Sequence, residues 1–450
     1  MKKLLSLLVM GLAVLGFLPS QSAGLRPADD LAISTNVLVS LPGNLRPEEV
    51  TIAVNPYNPL NLVAGSNLDF FYYSFDGGHN WTEGRLTSSL GVWGDPCVIF
   101  DTEGNCYYGH LSRPPAETGD FLDRIVVQKS TDGGRTWSDG AGIGLNPPKD
   151  QDKDWLAADM TDSPYRGNLY AAWTEFDQYG SPDPALQTRI LFAVSSDHGE
   201  SWSSPVTVSD IPGNCLDSDE TVEGAVPAVG PNGEVYLSWS GPLGIVFDKS
   251  LDGGRTFGQD ILVSDQPGGW DFPIPGIYRC NGMPVTACDI SHSPYRGNVY
   301  IMWSDQRNGA NDTDVFLTKS ADGGKTWSLA IRVNDDPPGR HQFFPWLAVD
   351  QTSGYIYIVF YDRRDSSDIV TEVYLARSTD GGNTFQNYRV SEYSIRPASG
   401  IFFGDYINVA AHEGVIHAIW TRMDGIDMSV WSCVIEEGGL PQGRKTRSVR

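Results

Sequence analysis

Carboxylates, arginines and one tyrosine flank a pair of apolar runs that recurs along this chain. Just before the first run of successive repeats stand Glu48 and Glu49, Asp95, Lys153 and Asp154, Glu220 and Glu223, Arg340 with His341 and Gln342, then Asp405 and Tyr406. Just after the second run stand His110 and Arg113, Glu175 and Asp177, Asp305 and Arg307, Asp362 with Arg363 and Arg364, then Arg422 and Asp424. Hydrolysing a glycosidic bond needs one group to protonate the leaving oxygen and a second to stabilise or attack the anomeric carbon. These residues supply both kinds, and Asp95 with Asp154 is one candidate carboxyl pair. His110 and His341 lack metal-ligand spacing, so neither a metal nor another cofactor is expected. Asp305-x-Arg307 and Asp362-x-Arg364 occupy equivalent places in consecutive repeats, where they read equally well as ion pairs bracing a loop.

The elements that must position these groups are announced by six copies of S-x-D-x-G-x-x-[W/F]: Ser74 to Trp81, Ser130 to Trp137, Ser195 to Trp202, Ser250 to Phe257, Ser320 to Trp327 and Ser378 to Phe385. The copies begin 56, 65, 55, 70 and 58 residues apart, a period that marks a radially repeated all-β architecture. Within each copy the Asp carboxylate can accept backbone N–H groups, and Gly supplies angles that a Cβ would forbid. The closing ring can bury itself against the neighbouring repeat. Such turns are read as structural staples, because they lack the alternating oxygen ligands of a calcium loop.

Strand–turn–strand units precede the turns, as in Trp155 to Asp159 with Leu169 to Trp173, joined by Ser163 to Asn168; the same hexapeptide returns at Ser293 to Asn298. Seven such units are present, and the seventh ends at its third strand, Met428 to Val434. An orphan strand at Asn36 to Val39 is placed to complete it, which would remove an exposed sheet edge. The expectation is a seven-bladed β-propeller of four-stranded antiparallel blades, with six blades as the alternative. Residues 31–436 would form this one domain, and the rim residues above would gather at the mouth of its central channel, on the face opposite the staples. Tyr406 falls in the slot that Trp155 and Trp346 fill in other repeats, so it also reads as a channel-lining aromatic.

Met1-Lys2-Lys3, an apolar run from Leu4 to Leu18 and small residues up to Gly24 read as a secretory leader over residues 1–23. Export, to the periplasm or the medium, is therefore expected. Residues 437–450 read as a loose basic tail. With 32 Lys and Arg against 56 Asp and Glu, the net charge is −24, which excludes nucleic acid and anionic membranes as expected partners. Six cysteines are too few for a disulfide framework, although Cys97 with Cys106, and more weakly Cys215 with Cys280, are placed to form isolated bridges.

The eight-residue turns are Asp-boxes, and an Asp-box propeller with a leader resembles the sialidase superfamily over nearly all of the mature chain. The resemblance implies a secreted glycoside hydrolase of exo-α-sialidase type acting on the termini of a glycan or glycoconjugate. It implies that Tyr406, in Gly404-Asp405-Tyr406, is the nucleophile, with Glu223 as its base and Asp95 as the acid. Arginines clamp the substrate carboxylate in that family, and Arg46, Arg307, Arg364 and Arg422 are the candidates here. Leu45-Arg46-Pro47 departs from the family's F/Y-R-I-P motif, and Trp239-Ser240-Gly241-Pro242 stands where a second arginine is expected. Two further readings follow from the same rim: a polysaccharide hydrolase using two carboxylates, and a secreted propeller that binds carbohydrate or protein without chemistry.

Overall fold

Hairpin turns placed at a regular spacing force consecutive strands to pair antiparallel, and six of the seven sheets obey this throughout in chain order. The computed structural model describes residues 32–41, 47–116, 119–366 and 368–441. The expected leader, Arg46 and the basic end of the expected tail lie outside the described residues. Seven four-stranded sheets are formed, six of them from four consecutive strands. Their innermost strands are Thr51–Val54, Cys97–Phe100, Asp150–Ala158, Glu223–Val229, Val285–Cys288, Gln342–Val349 and Asn408–His412. Each innermost strand packs on that of the next blade, and the seventh packs on the first, so the ring closes.

Closure uses both ends of the described chain. Asn36–Leu38 lies along Asp427–Glu436 as the outer strand of the seventh blade, pairing Asn36 with Cys433 and Leu38 with Trp431. The Asn36 amide then donates 2.7 Å to the Val390 carbonyl of the sixth blade, fastening the seam to its neighbour. The second strands carry one large buried residue at the same depth in most blades: Trp173, Trp239, Trp303 and Trp420 are all essentially inaccessible to solvent. Burying these rings between blades supplies much of the apolar contact that holds the ring together.

Each Asp-box acts as a staple. In the fourth blade Ser250 Oγ donates 2.7 Å to Asp252 Oδ1 and accepts the Gly254 N–H at 2.9 Å, while Asp252 Oδ1 accepts the Thr256 N–H at 2.9 Å. Phe257 then meets Phe192 of the third blade edge-on at 5.0 Å, and Trp327 of the fifth blade meets Phe247 of the fourth in the same way at 5.0 Å. Replacing Ser250 by alanine strands a buried N–H, and we expect a loss of about 1–3 kcal/mol, read as a lower denaturant midpoint at unchanged slope.

The cysteines differ from expectation. All six are buried free thiols. Cys106 pairs with Phe100 across its hairpin and Cys97 pairs with Gly109, so the two cysteines are offset along the strands rather than opposed. No helix of the described residues is long and apolar enough to cross a membrane.

Candidate active site

The inner strands do not simply begin; several of them are interrupted by a left-handed residue that turns the chain into the channel mouth. Glu49, Asp95, Lys153 and Phe344 have φ of 57°, 51°, 51° and 49°, and Gly224 has the same handedness at 80°. In three blades this residue sits within a break in the strand register, between Asp152 and Trp155, Glu223 and Val226, and Phe343 and Trp346. Non-glycine residues pay about 1–3 kcal/mol for such backbone, and this strain is typically retained where the side chain has work to do. Here it brings two carboxylates and an ammonium group from three successive blades to one mouth.

Lys153 is the hub. Its Nζ lies 2.5 Å from Asp405 Oδ2, 3.6 Å from Asp95 Oδ2 and 3.8 Å from Glu49 Oε1. Arg279 reaches in from the long loop before the fifth blade and grips Asp405 with two bonds, of 3.0 Å through Nε and 2.5 Å through Nη2. It also stands 3.5 Å from Asp217, which accepts the Tyr179 hydroxyl at 2.5 Å. The Asn281 amide donates 3.0 Å to the Asp405 carbonyl, and Asn67 bridges Glu49 and the Asp95 N–H. Burial opposes charge on Asp405, but Arg279 and Lys153 hold its carboxyl well below the usual range. Burial likewise works against the Lys153 ammonium, and Asp405, Asp95 and Glu49 more than restore it.

The other carboxyls have the opposite character. Burial, reinforced by the charge of Asp95 and opposed by Lys153, pushes Asp152 up to about 8. Burial and Asp95 also raise Asp154 and Glu49 well above the ordinary carboxylate range, and burial with Asp217 and Asp152 raises Glu223. Neither oxygen of Asp154 nor of Glu223 has a hydrogen-bond partner among the described residues. The mouth therefore holds protonated carboxylic acids beside a charged carboxylate–cation cluster, the contrast of environments that separates an acid from a base.

Beneath them the channel is apolar. Trp155 and Trp346 pack with ring centres 4.2 Å apart, and Tyr406 joins them at 5.6 and 5.8 Å. These rings, with Asp95, Asp154 and Asp405, line one cavity. The Tyr406 hydroxyl donates 3.1 Å to the Pro96 carbonyl, and burial, Glu49 and Asp95 make the phenol harder to ionise. Asp95 and Tyr406 thus share the cavity, and Glu223 is buried directly beside it, its neighbour Gly224 forming part of the wall.

The described arginine candidates are engaged elsewhere. Arg307 holds Asp305 through Nε and Nη2 at 2.9 and 2.5 Å, Arg364 spans Asp362 and Asp335 at 2.8 and 2.6 Å, and Arg422 pairs with Asp424 at 2.9 Å. Each guanidinium also lies over a ring, Phe316, Tyr374 and Tyr393 respectively. None of the three lines the cavity with Tyr406. Asp152, Asp217 and Arg279, which the sequence reasoning did not single out, take their place near the mouth. Among the described residues, metal-ligating atoms converge only at Asp101, Glu103 and His198, on the face of the Asp-box turns. Asp101 there already accepts the Glu103 and Asn105 N–H groups and the Tyr107 hydroxyl, as a turn staple does.

A family model described as a BNR repeat-like domain matches residues 167–403. A sialidase of Micromonospora viridifaciens is 25% identical over 318 residues, covering 63% of this chain and 44% of that protein, so the chain spans less than half of that relative's length. A GH93 α-L-arabinofuranosidase of Fusarium graminearum, solved with arabinobiose, is 14% identical with a TM-score of 0.49, over 90% of this chain and 99% of that one. An intramolecular trans-sialidase from Ruminococcus gnavus is 11% identical with a TM-score of 0.49, over 79% of this chain and 97% of that one.

Proposed function

Since the chain belongs to the BNR repeat-like family and is a sialidase-like propeller, we propose that it is a glycoside hydrolase working at the channel mouth. The observation that supports this most is the pairing of Asp152, pushed up to about 8, with the charge of Asp95, which stands 3.6 Å from the Lys153 ammonium. In this reading Asp152 gives its proton to the leaving oxygen and Asp95 serves as the second carboxyl, which stabilises or attacks the anomeric carbon. The Lys153 ammonium, 3.6 Å away, faces the Asp95 carboxyl. Burial, with the charges of Asp95 and Asp217, keeps Asp152 protonated against the pull of Lys153.

The preferred substrate is an uncharged sugar at the end of a glycan. Both cations of the mouth, Lys153 and Arg279, are already bound to Asp405, and a further anion would meet the carboxyls of Asp95 and Asp217. The exo-α-sialidase reading keeps one specific support: Arg279 is 40% exposed and could turn toward a substrate carboxylate. Tyr406 would then need to leave Pro96 to act as nucleophile, with Glu223 as base. The leader-like residues 1–23 support a reading in which the protein is exported.

A panel of fluorogenic glycosides, neutral and sialosides together, decides between them. Release from a neutral glycoside, with no release from sialosides and a normal rate in a Tyr406→Phe variant, is expected. Release from sialosides alone, abolished in Tyr406→Phe, would establish the exo-α-sialidase reading instead, and no release from any glycoside would leave a carbohydrate-binding propeller.

A further inference from the structure

A groove leaves the mouth and crosses the rim over the first three blades. Its floor shares Asp95 with the channel cavity and adds Glu49, Asp152 and Arg279, so it is continuous with the proposed site. Its sides carry four aromatic rings: Trp93, Phe121, Tyr179 and Phe402. Phe121 and Tyr179 are 49% and 38% exposed, which is unusual for rings that face one groove. At about 530 Å³ the groove is larger than a single sugar requires.

The rings are fixed in place. Trp93 meets Phe121 edge-on at 5.2 Å, and the Arg113 guanidinium lies 4.1 Å over its face. Tyr179 is held by its hydroxyl on Asp217 and by Phe176, 4.8 Å away. Phe402 carries the Arg279 guanidinium 4.8 Å above it. Rigid rings bind without an ordering cost, and they offer flat apolar faces to the C–H faces of sugar rings. The carboxyl and amide groups between them, on Glu49 and Asn67, are suited to pairs of sugar hydroxyls. Nucleic acid and anionic lipid are disfavoured by the net charge of −24.

We propose that this groove is a set of further sugar-binding subsites, so that the substrate is a linear neutral oligosaccharide or polysaccharide of at least three sugars, with its end at the channel mouth. The inference rests on the glycoside hydrolase reading for the direction of the chain, but the binding itself is tested independently. A chain lying in the groove would stack on Trp93 and Phe121 beyond the sugar held at Asp95.

The test is calorimetry of the full chain with arabino-, xylo-, manno- and gluco-oligosaccharides of one to five residues, with chromatography of the products. In at least one series, affinity is expected to rise 10-fold or more between one sugar and three. Phe121→Ala and Trp93→Ala should each remove at least 5-fold of that gain, while rates on aryl monoglycosides stay within 2-fold of the parent. Affinity independent of chain length in every series would overturn the groove, as would an equal loss on monosaccharides and longer chains. Chain-length-dependent binding with no sugar released would keep the groove and remove the hydrolase. Turnover of monoglycosides without length dependence would do the reverse.

Discussion

Asp152→Asn will lower kcat on glycosides with ordinary leaving groups by about 10²–10⁴-fold while making the protein more stable at alkaline pH. The first effect follows from losing the proton donor. The second follows from linkage. A carboxyl pushed up to about 8 in the fold, by burial and by Asp95, binds its proton more tightly folded than unfolded. The folded state then loses stability as pH rises from about 4, the ordinary carboxylate value, to about 8, and the loss is constant above that. Asparagine carries no such penalty and can still accept the Lys153 N–H that Asp152 Oδ1 accepts at 2.9 Å. At pH 9 we expect a gain of about 2–4 kcal/mol over the parent chain, shrinking to nothing near pH 4. Chemical denaturation at the two pH values reads it, and a variant that is destabilised at both would refute the assignment. In the parent, activity should fall as pH rises through about 8, as the acid deprotonates.

Asp405→Asn will destabilise the protein by about 3–5 kcal/mol, because it leaves Lys153 and Arg279 facing each other without the charge that both grip. Asp405 is the reverse case to Asp152. Its folded pKa is depressed, against burial, by Arg279 and Lys153, so its contribution is fully present above the ordinary carboxylate range and fades as pH falls below about 4. The difference between parent and variant should therefore shrink in acid. Adding Lys153→Met to Asp405→Asn removes one stranded cation, and we expect it to recover part of the loss; additive losses from the two substitutions would show that the cluster is not coupled.

The propeller was legible because its signals are local and repeated. An Asp-box is a complete hairpin turn within eight residues, and the missing fourth strand of the seventh unit pointed directly to Asn36–Leu38. The mouth was half legible. Asp95, Asp405 and Tyr406 were visible because they directly precede inner strands, and Glu223 and Lys153 because they lie in the first residues of one. Asp152 was hidden by the break in register before Trp155, which places an additional residue on the rim and defeats the alternation expected of a strand. Arg279 and Asp217 come from the long loops entering the fifth and fourth blades, which have no repeat with which to compare them. Arg307 and Arg364 took the plainer of their two readings, because an aspartate two residues earlier is always within reach. The cysteine pairing failed on register alone, since a hairpin that pairs Phe100 with Cys106 sets Cys97 three residues away from it.

The proton donor at the mouth is tested most directly by varying the leaving group. A dinitrophenolate departs without being protonated, whereas a sugar or alkoxide leaving group needs the acid. With Asp152→Asn, loss of activity should therefore reach about 10²–10⁴-fold on an alkyl glycoside or disaccharide, but stay below about 10-fold on the dinitrophenyl glycoside of the same sugar. Equal losses on both substrates, or no loss on either, would contradict the account.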